Sequence, residues 1–288
     1  MILPGSHSQS LSARLAAATD HDLASVRYDR FPDGELCPEI TEADADALAG
    51  EHAVVVASTL SSDAHVELLQ LQDAAHEAGA SEVTTVLPYM GYGRQDRAFK
   101  PGQPVSARAM ARAISTGTDR VLLVSPHEPD VTEFFDVPCE TVEGAARLAE
   151  PLPGDLDDPV FVSPDEGAID IAESACDAYG RGDADYFEKE RDYDTGEVAI
   201  TPGNADVSGR DVVLVDDIVA TGSTMSEAID ALHGRGVERA FVVCVHPMLV
   251  GNARTKLEQA GLSGIWGTDT IERDVSAVSV APLLADLV

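Results

Sequence analysis

The chain of 288 residues carries 51 Asp and Glu against 19 Lys and Arg, giving a formal charge of −32 at pH 7. This balance excludes a non-specific nucleic-acid binder, because neutralising a phosphate backbone requires a basic patch. Hydrophobic residues make up 44% of the chain, which excludes intrinsic disorder, and no apolar segment reaches the length of a membrane span.

Strand and helix patterns alternate along the first half of the chain. The patterns predict a strand at residues 53–57, a helix at 64–78 that ends at Gly79, a strand at 82–87, a helix at 106–115 and a strand at 121–124. The first residues lack the basic region and long apolar core of a signal peptide, which predicts a cytoplasmic protein.

The alternation begins again after Pro138. The patterns predict helices at residues 144–149, 167–179 and 224–233, and strands at 160–162, 185–189, 212–215 and 240–244. Such alternation is typical of parallel sheets with helices on both faces. We therefore predict two α/β domains, one at residues 1–141 and one at 142–288.

The cationic loop at residues 94–100 is the first candidate site along the chain. It carries Arg94, Arg97 and Lys100, with Gln95 and Asp96 between the two arginines. Arginine forks and a lysine point charge suit a triphosphate. A basic surface loop balanced by neighbouring acids is the alternative.

Two further candidates follow the strands of the second half. Ser163 and Asp165 end one strand, where they could face a metal ion or simply cap the next helix. Lys189 and Arg191 share one face of a strand with period two, so both could reach one phosphate cluster. An exposed edge strand is the alternative there. The turn-rich segment at residues 192–196 is a candidate flap.

The segment from Val212 to Met225 has the order of a site for a ribose phosphate. A buried apolar strand ends at Asp216 and Asp217, at the edge where open α/β sheets bind ligands. Small residues follow and lead into a helix: Ala220, Thr221, Gly222, Ser223 and Thr224. A phosphate would lie at the helix N-terminus, where unpaired N–H groups favour an anion. In the alternative, Asp216 merely caps that helix.

Five segments together resemble the ribose-phosphate diphosphokinase family, also called phosphoribosyl-diphosphate (PRPP) synthetases, over roughly residues 3–286. They are F-P-D-G-E at residues 31–35, the stretch at 87–107, S-P-H at 125–127 with F-F-D-V-P at 134–138, S-P-D-E-G at 163–167, and the loop segment at 212–225. Type I phosphoribosyltransferases share the loop but have no counterpart to residues 87–107, so the resemblance favours a synthetase.

The resemblance implies a role for each motif. It implies two type I phosphoribosyltransferase-like domains, each a mostly parallel sheet flanked by helices, with the last residues packing on the first domain. ATP contacts fall on Asp33, Gly34, Glu35, Arg94 and Gln95. Mg²⁺ contacts fall on His127 and Asp165. Lys189 is catalytic, and ribose 5-phosphate contacts fall on Arg191, Asp216, Asp217 and residues 220–224. A homo-oligomer is also implied.

One residue departs from the family pattern. Many members carry an acid two residues before the histidine of the S-P-H segment, where this chain has Ser125. At that position the chain therefore has a hydroxyl in place of a carboxylate.

The resemblance implies transfer of the β,γ-diphosphoryl group of ATP to the 1-hydroxyl of ribose 5-phosphate, giving PRPP and AMP. A phosphoribosyltransferase and a catalytically silent regulatory homologue are the alternatives. The charge of −32 predicts a halophilic protein, because molar salt screens repulsion between carboxylates. The four cysteines have no C-x-x-C spacing and are expected to be reduced, buried thiols.

Overall fold

The computed structural model describes the backbone of residues 1–191, 198–202 and 205–288, and the side chains outside residues 188–204. This part of the chain forms two compact units. Unit 1 comprises Met1–Glu143, Asp269–Glu272 and Ser279–Val288, whereas unit 2 comprises Gly144–Thr268 and Arg273–Val278. Each is built on a mostly parallel sheet flanked by helices, which confirms the predicted fold class.

Unit 1 contains a five-stranded sheet in which every pairing is parallel. Its strands are β1 (Ile2–Pro4), β4 (His52–Val56), β5 (Glu82–Leu87), β6 (Arg120–Val124) and β7 (Cys139–Val142), side by side in that order. A separate antiparallel hairpin joins β2 (Val26–Arg30) to β3 (Leu36–Ile40). The β4 valines are fully buried, as expected for a strand covered on both faces.

Helices connect these strands. They are α1 (Gln9–Ala18), α2 (Glu42–Leu48), α3 (Ser62–Glu77), α4 (Ser106–Ile114) and the C-terminal α8 (Ala281–Leu284). Helix α3 begins after Ser61, whose hydroxyl oxygen accepts a hydrogen bond from the Ala64 N–H at 3.1 Å. A serine cap of this kind satisfies one of the free N–H groups at a helix start.

The last part of the chain completes unit 1. The Glu272 carboxylate accepts hydrogen bonds from the Ser10 and Leu11 N–H groups, at 2.6 and 3.0 Å, in the first turn of α1. Buried Asp269 accepts from Arg14 at 2.8 Å and from the Val280 N–H at 2.9 Å. These carboxylates attach the C-terminal segments to α1 and to each other.

Unit 2 contains a seven-stranded sheet. Its strands, in spatial order, are β10 (Val198–Pro202), β9 (Asp183–Arg191), β8 (Val160–Ser163), β11 (Asp211–Ile218), β12 (Arg239–His246), β13 (Gly264–Thr268) and β14 (Ser276–Val278). Only the β9–β10 pair is antiparallel among these described strands. The helices are α5 (Ile169–Tyr179), α6 (Ser223–His233) and α7 (Ala253–Gln259).

An ion pair between buried Asp211 and partly exposed Arg239 stabilises the start of β11. Asp211 is fully buried and accepts hydrogen bonds from Arg239 at 2.7 and 2.8 Å, and from the Asp157 N–H at 2.6 Å. Burial by itself raises the pKa of the Asp211 carboxyl, but the Arg239 guanidinium and the Asp157 N–H outweigh burial and lower it. The carboxylate therefore stays charged inside the fold.

The structure corrects two predictions about the elements. Residues 144–149 were predicted as a helix, but Ala145–Ala149 form a 3-10 helix. Pro151 has no N–H to donate to the Arg147 carbonyl, so an α-helix cannot continue through it. Strand β9 pairs with both β8 and β10, so the edge-strand alternative for it is wrong. Within the described residues, every helix is too short or too polar to cross a bilayer.

Candidate functional site

Three acids meet at the carboxyl end of the unit 2 sheet. Asp216 and Asp217 lie near the carboxyl end of β11. The Asp217 N–H donates a hydrogen bond to the Asp216 carboxylate at 2.9 Å. Asp165 follows β8, the strand next to β11. Burial and then the negative charges of Asp217 and Asp165 raise the pKa of Asp216 well above its ordinary value. This edge of the sheet therefore favours a bound cation.

A loop of small residues connects β11 to α6. Gly222 precedes the helix with φ of 72°, and a Cβ added there would lie 3.1 Å from the carbonyl oxygen of Ala253. The first helical hydrogen bond runs from the Ser226 N–H to the Gly222 carbonyl at 2.9 Å. In the described part of the chain, the N–H groups of residues 221–225 donate no hydrogen bond. Free N–H donors at a helix start favour an anion.

The capping alternative is wrong for Asp216, whereas Asp165 does occupy an N-cap position. Helix α6 has Gly222 at its N-cap position, so Asp216 does not cap it. Asp165 precedes a 3-10 turn at Glu166–Ala168, but its side chain makes no capping hydrogen bond. The Ser163 hydroxyl donates instead to the Asp165 backbone carbonyl at 2.7 Å.

A second segment of unit 2 holds this loop from the side. The Leu249 N–H donates to the Val219 carbonyl and the Val250 N–H to the Ala220 carbonyl, both at 2.9 Å. Leu249 adopts a positive φ of 46° to make this turn. The residues after β12 thus fix the backbone of the loop before α6 begins.

In unit 1, the hairpin loop at residues 31–35 is tied to the first turn of α3. Asp33, Gly34 and Glu35 are exposed at its tip. Arg30 donates to the Gly34 carbonyl at 2.9 Å and pairs with Asp63 of α3 at 2.6 Å. The arginine therefore holds the backbone of the loop while the loop's carboxylates remain accessible.

The same turn of α3 contacts the glycine-rich segment after β5. The Ser62 hydroxyl and the Tyr92 phenol lie 2.8 Å apart, and the His65 and Tyr92 ring centroids are 5.4 Å apart. Gly91 passes so close to the Thr59 carbonyl that an added Cβ would lie 2.0 Å from its oxygen. Tyr92 has a positive φ of 63°. These contacts place the backbone immediately before Arg94.

His65 lies buried beneath this segment. It is 5% exposed, and its Nε2 makes no hydrogen bond within the described residues. Burial lowers the pKa of His65, and the Gly91 backbone offsets this only in part. The imidazole is therefore held neutral.

The cationic loop keeps its charges accessible. Arg94, Arg97 and Lys100 are exposed, and none of them forms an ion pair with any residue whose side chain is described. Gln95 is different, because its amide accepts from the Ser106 hydroxyl at 2.6 Å and donates to the Pro104 carbonyl at 3.2 Å. The Gln95 side chain thus closes the loop against the start of α4.

His127 lies just beyond β6 and is exposed. Ser125, which stands where many relatives have an acid, has a positive φ of 37° and donates its hydroxyl to Glu143 at 3.2 Å. A carboxylate therefore does lie at this strand end, although it comes from another position in the chain. Over the described residues, no three His, Cys, Asp or Glu side chains form a ready metal cage.

The remaining predicted residues lie outside the described side chains. Lys189 and Arg191 belong to β9, whose backbone is described, but their side chains are not. The candidate flap at residues 192–196 is also outside the described residues. The thiols of Cys176 and Cys244 are buried and those of Cys37 and Cys139 are half-buried; burial raises the pKa of Cys139 to about 12.

Sequence reasoning missed three contributors to these sites. They are Arg30, His65 and Lys256, whose Nζ donates to the Ser223 hydroxyl at 2.8 Å. Lys256 could have been noticed, because the chain has only three lysines and the other two fall in recognised motifs. The other two contacts depend on tertiary packing.

A parallel sheet that ends in paired carboxylates and a glycine loop at a helix start is typical of phosphate-binding α/β proteins. Residues 1–117 match the family model described as the N-terminal domain of ribose phosphate pyrophosphokinase, and residues 140–281 match the phosphoribosyl transferase domain. The chain belongs to the ribose-phosphate pyrophosphokinase family.

Individual relatives agree over the whole length. A ribose-phosphate pyrophosphokinase of Halobacterium salinarum is 60% identical over 286 residues, covering 99% of both chains. One of Methanosarcina mazei is 43% identical over 287 residues, covering 99% of this chain and 94% of the relative. The crystal structure of phosphoribosylpyrophosphate synthetase from Mycobacterium smegmatis superposes with a TM-score of 0.83 at 26% identity, covering 100% of this chain and 96% of that one.

Proposed function

We propose that the chain is a ribose-phosphate diphosphokinase, which transfers the β,γ-diphosphoryl group of ATP to the 1-hydroxyl of ribose 5-phosphate. The products are PRPP and AMP, which would supply nucleotide biosynthesis. Family membership supports this reaction. The single observation that carries it is the row of free N–H groups at residues 221–225, beside the carboxylates at the end of β11. A homo-oligomeric, cytoplasmic enzyme is part of the same proposal.

Unit 2 would bind ribose 5-phosphate. The 5-phosphate would accept hydrogen bonds from the start of α6, where the helix dipole also favours an anion. Asp216 and Asp217 would accept hydrogen bonds from the ribose hydroxyls, because carboxylates are acceptors. The hydroxyls of Ser223 and Thr224 border the same N–H groups and would add donors to the phosphate, whereas Thr221 would contribute its backbone N–H.

Unit 1 would bind ATP. Arg94 is exposed beside the rigid Gly91–Gly93 turn, where it can reach a phosphate without first breaking an ion pair. Asp33, Gly34 and Glu35 would contact the nucleoside end from the hairpin loop. The first turn of α3 touches both segments, through Asp63 and through Ser62, which supports one shared nucleotide site.

Carboxylate oxygens make the unit 2 edge suitable for Mg²⁺. Mg²⁺ usually takes one or two protein carboxylates together with substrate phosphates and waters, so no closed cage is needed. Asp165 and Asp216 would hold it, because burial and then the charges of Asp217 and Asp165 raise the pKa of Asp216, and a cation would favour its ionised form. The bound ion would neutralise phosphate charge and acidify the sugar hydroxyl. His127 of unit 1 is proposed as a further Mg²⁺ contact.

Lys189 and Arg191 would neutralise the charge that develops on the transferred and leaving phosphates. Phosphoryl transfer depends chiefly on positioning and electrostatic stabilisation, so a lysine that contacts the transferred group would act mainly on turnover. The support for both residues is the resemblance, which implies a catalytic Lys189 and a phosphate contact for Arg191, together with the rarity of lysine in this chain.

The test is AMP formation from ATP and Mg²⁺ in about 2 M KCl, where the acidic surface is screened, with and without ribose 5-phosphate. AMP that appears only with the sugar phosphate, together with a new anomeric diphosphate by phosphorus NMR, is the expected result. Consumption of PRPP with a nucleobase would indicate a phosphoribosyltransferase. Nucleotide binding without AMP would indicate the silent regulatory homologue.

A further inference from the structure

Lys256 on α7 contacts the first residue of α6. Its Nζ donates a hydrogen bond to the Ser223 hydroxyl oxygen at 2.8 Å, across 33 residues of sequence. Lys256 is half-buried, and among the residues whose side chains are described it pairs with no carboxylate. The chain has 51 acids with which a lysine could pair. Lys256 instead contacts the loop at residues 220–224, which we call the phosphate loop.

The hydrogen bonds at Ser223 fix the direction of its proton. A serine hydroxyl has two acceptor lone pairs and one donor hydrogen. Lys256 occupies one lone pair, and the Thr221 hydroxyl donates to the other at 3.3 Å. Ser223 therefore has only its own O–H left to use. That O–H stands at the N-terminus of α6, beside the free N–H groups of residues 221–225.

We propose that Lys256 is a positioning residue for the sugar phosphate, because its ammonium group holds the Ser223 hydroxyl as a dedicated donor to the 5-phosphate. The inference rests on the proposed function of the loop. It adds a charge-assisted link, Lys256 to Ser223 to phosphate, to the backbone donors already described. The positive charge behind Ser223 makes its O–H a stronger donor and favours a dianionic ligand.

Lys256→Met tests the link because methionine keeps the length of the side chain and removes the charge. The KM for ribose 5-phosphate is expected to rise at least about tenfold, typical for loss of a hydrogen bond to a charged group. The KM for ATP should change by less than about twofold, since the lysine does not face the nucleotide in this scheme. Lys256→Arg should restore most of the affinity.

Arg254→Met is the matched control. Arg254 lies one half-turn away on the same helix and forms an exposed pair with Glu258 at 2.9 Å. Its loss should leave both KM values unchanged, because an exposed i,i+4 pair contributes little. Thermal melting in molar KCl verifies that each variant is folded.

A double mutant separates positioning through Ser223 from direct contact. If Lys256 acts through the serine, Lys256→Met should raise the KM by less than about twofold in a Ser223→Ala background. A full effect in that background would overturn the proposal, as would an unchanged KM in Lys256→Met alone.

Calorimetric titration with ribose 5-phosphate and with ribose makes the test independent of turnover. Suppose that the wild type binds ribose 5-phosphate but makes no AMP, and that Lys256→Met loses this affinity. That result would support the role of Lys256 and refute the proposed reaction. Wild-type protein that makes AMP while Lys256→Met binds normally would refute only the role of Lys256. Absence of ribose 5-phosphate binding to the wild type would refute both.

Discussion

Gly222→Ala should weaken ribose 5-phosphate binding far more than its effect on stability suggests. A left-handed backbone costs a non-glycine residue about 1–2 kcal/mol, and Gly222 has φ of 72°. The new methyl group would also lie 3.1 Å from the Ala253 carbonyl oxygen and 3.3 Å from its Cα. Relief of that contact must displace either the phosphate loop or the start of α7.

Gly209→Ala provides the matched control in the same unit. Gly209 has nearly the same φ, 70°, but an added Cβ there meets nothing within 4 Å. The two variants should therefore share the backbone strain of about 1–2 kcal/mol and differ only in the contact with Ala253. In a unit of this size each kcal/mol lowers the melting temperature by about 2–4 °C.

The assays are thermal melting and steady-state kinetics in molar KCl. Both variants should melt a few degrees lower, whereas the KM for ribose 5-phosphate should rise about tenfold in Gly222→Ala alone, since small displacements of a binding group are costly. Equal KM values in the two glycine variants would refute the reasoning that α7 positions the loop.

Four further outcomes are expected. Lys189→Ala should lower kcat at least ~10²-fold with unchanged melting, a scale typical of losing one transition-state contact; near wild-type turnover would remove Lys189 from the mechanism. Arg239→Met leaves the buried Asp211 carboxylate without its cation and should destabilise unit 2 by about 3 kcal/mol by denaturant titration; a loss under about 1 kcal/mol would contradict this. The pKa of His65 in the folded protein is below its ordinary value of 6.5. The contribution of neutral His65 to stability is therefore fully present above pH 6.5 and is lost as the pH falls from 6.5 through the lower folded-state pKa. Acidification from about pH 7.5 to about pH 5.5 should therefore lower the melting temperature of the wild type more than that of His65→Leu, and parallel slopes would argue against it. Finally, cooperative melting should require molar salt, because the charge of −32 is poorly screened at about 50 mM KCl; full activity and a sharp transition at the lower concentration would refute halophily.

Sequence alone predicted the segments of both units that are locally encoded. The run at residues 212–215 lies inside β11, and the small residues after it lead into α6 one residue earlier than predicted. The strand at residues 82–87 has the predicted bounds. In these segments a continuous apolar run, a glycine and a helical face all indicate the same structure, which is the condition under which local patterns are reliable.

The rest depends on contacts between distant residues. Strand β1 has only three residues, too few for a period to show, and it exists because it pairs with β4. The sequence indicated that Gln95 is polar, but not that its amide is engaged with Ser106 and Pro104. The contact between Lys256 and Ser223 joins two helices, and no local rule contains it.

The return of residues 269–272 and 279–288 to unit 1 imposes an order on biosynthesis. A ribosome releases the first 143 residues long before it makes Asp269 and Glu272, whose carboxylates bind Arg14 and the first turn of α1. Domains generally fold as units, N-terminal first, during synthesis. Here α1 remains incompletely anchored until Asp269 and Glu272 have been made. Termination before Asp269 would therefore remove the carboxylates that bind Arg14 and the first turn of α1.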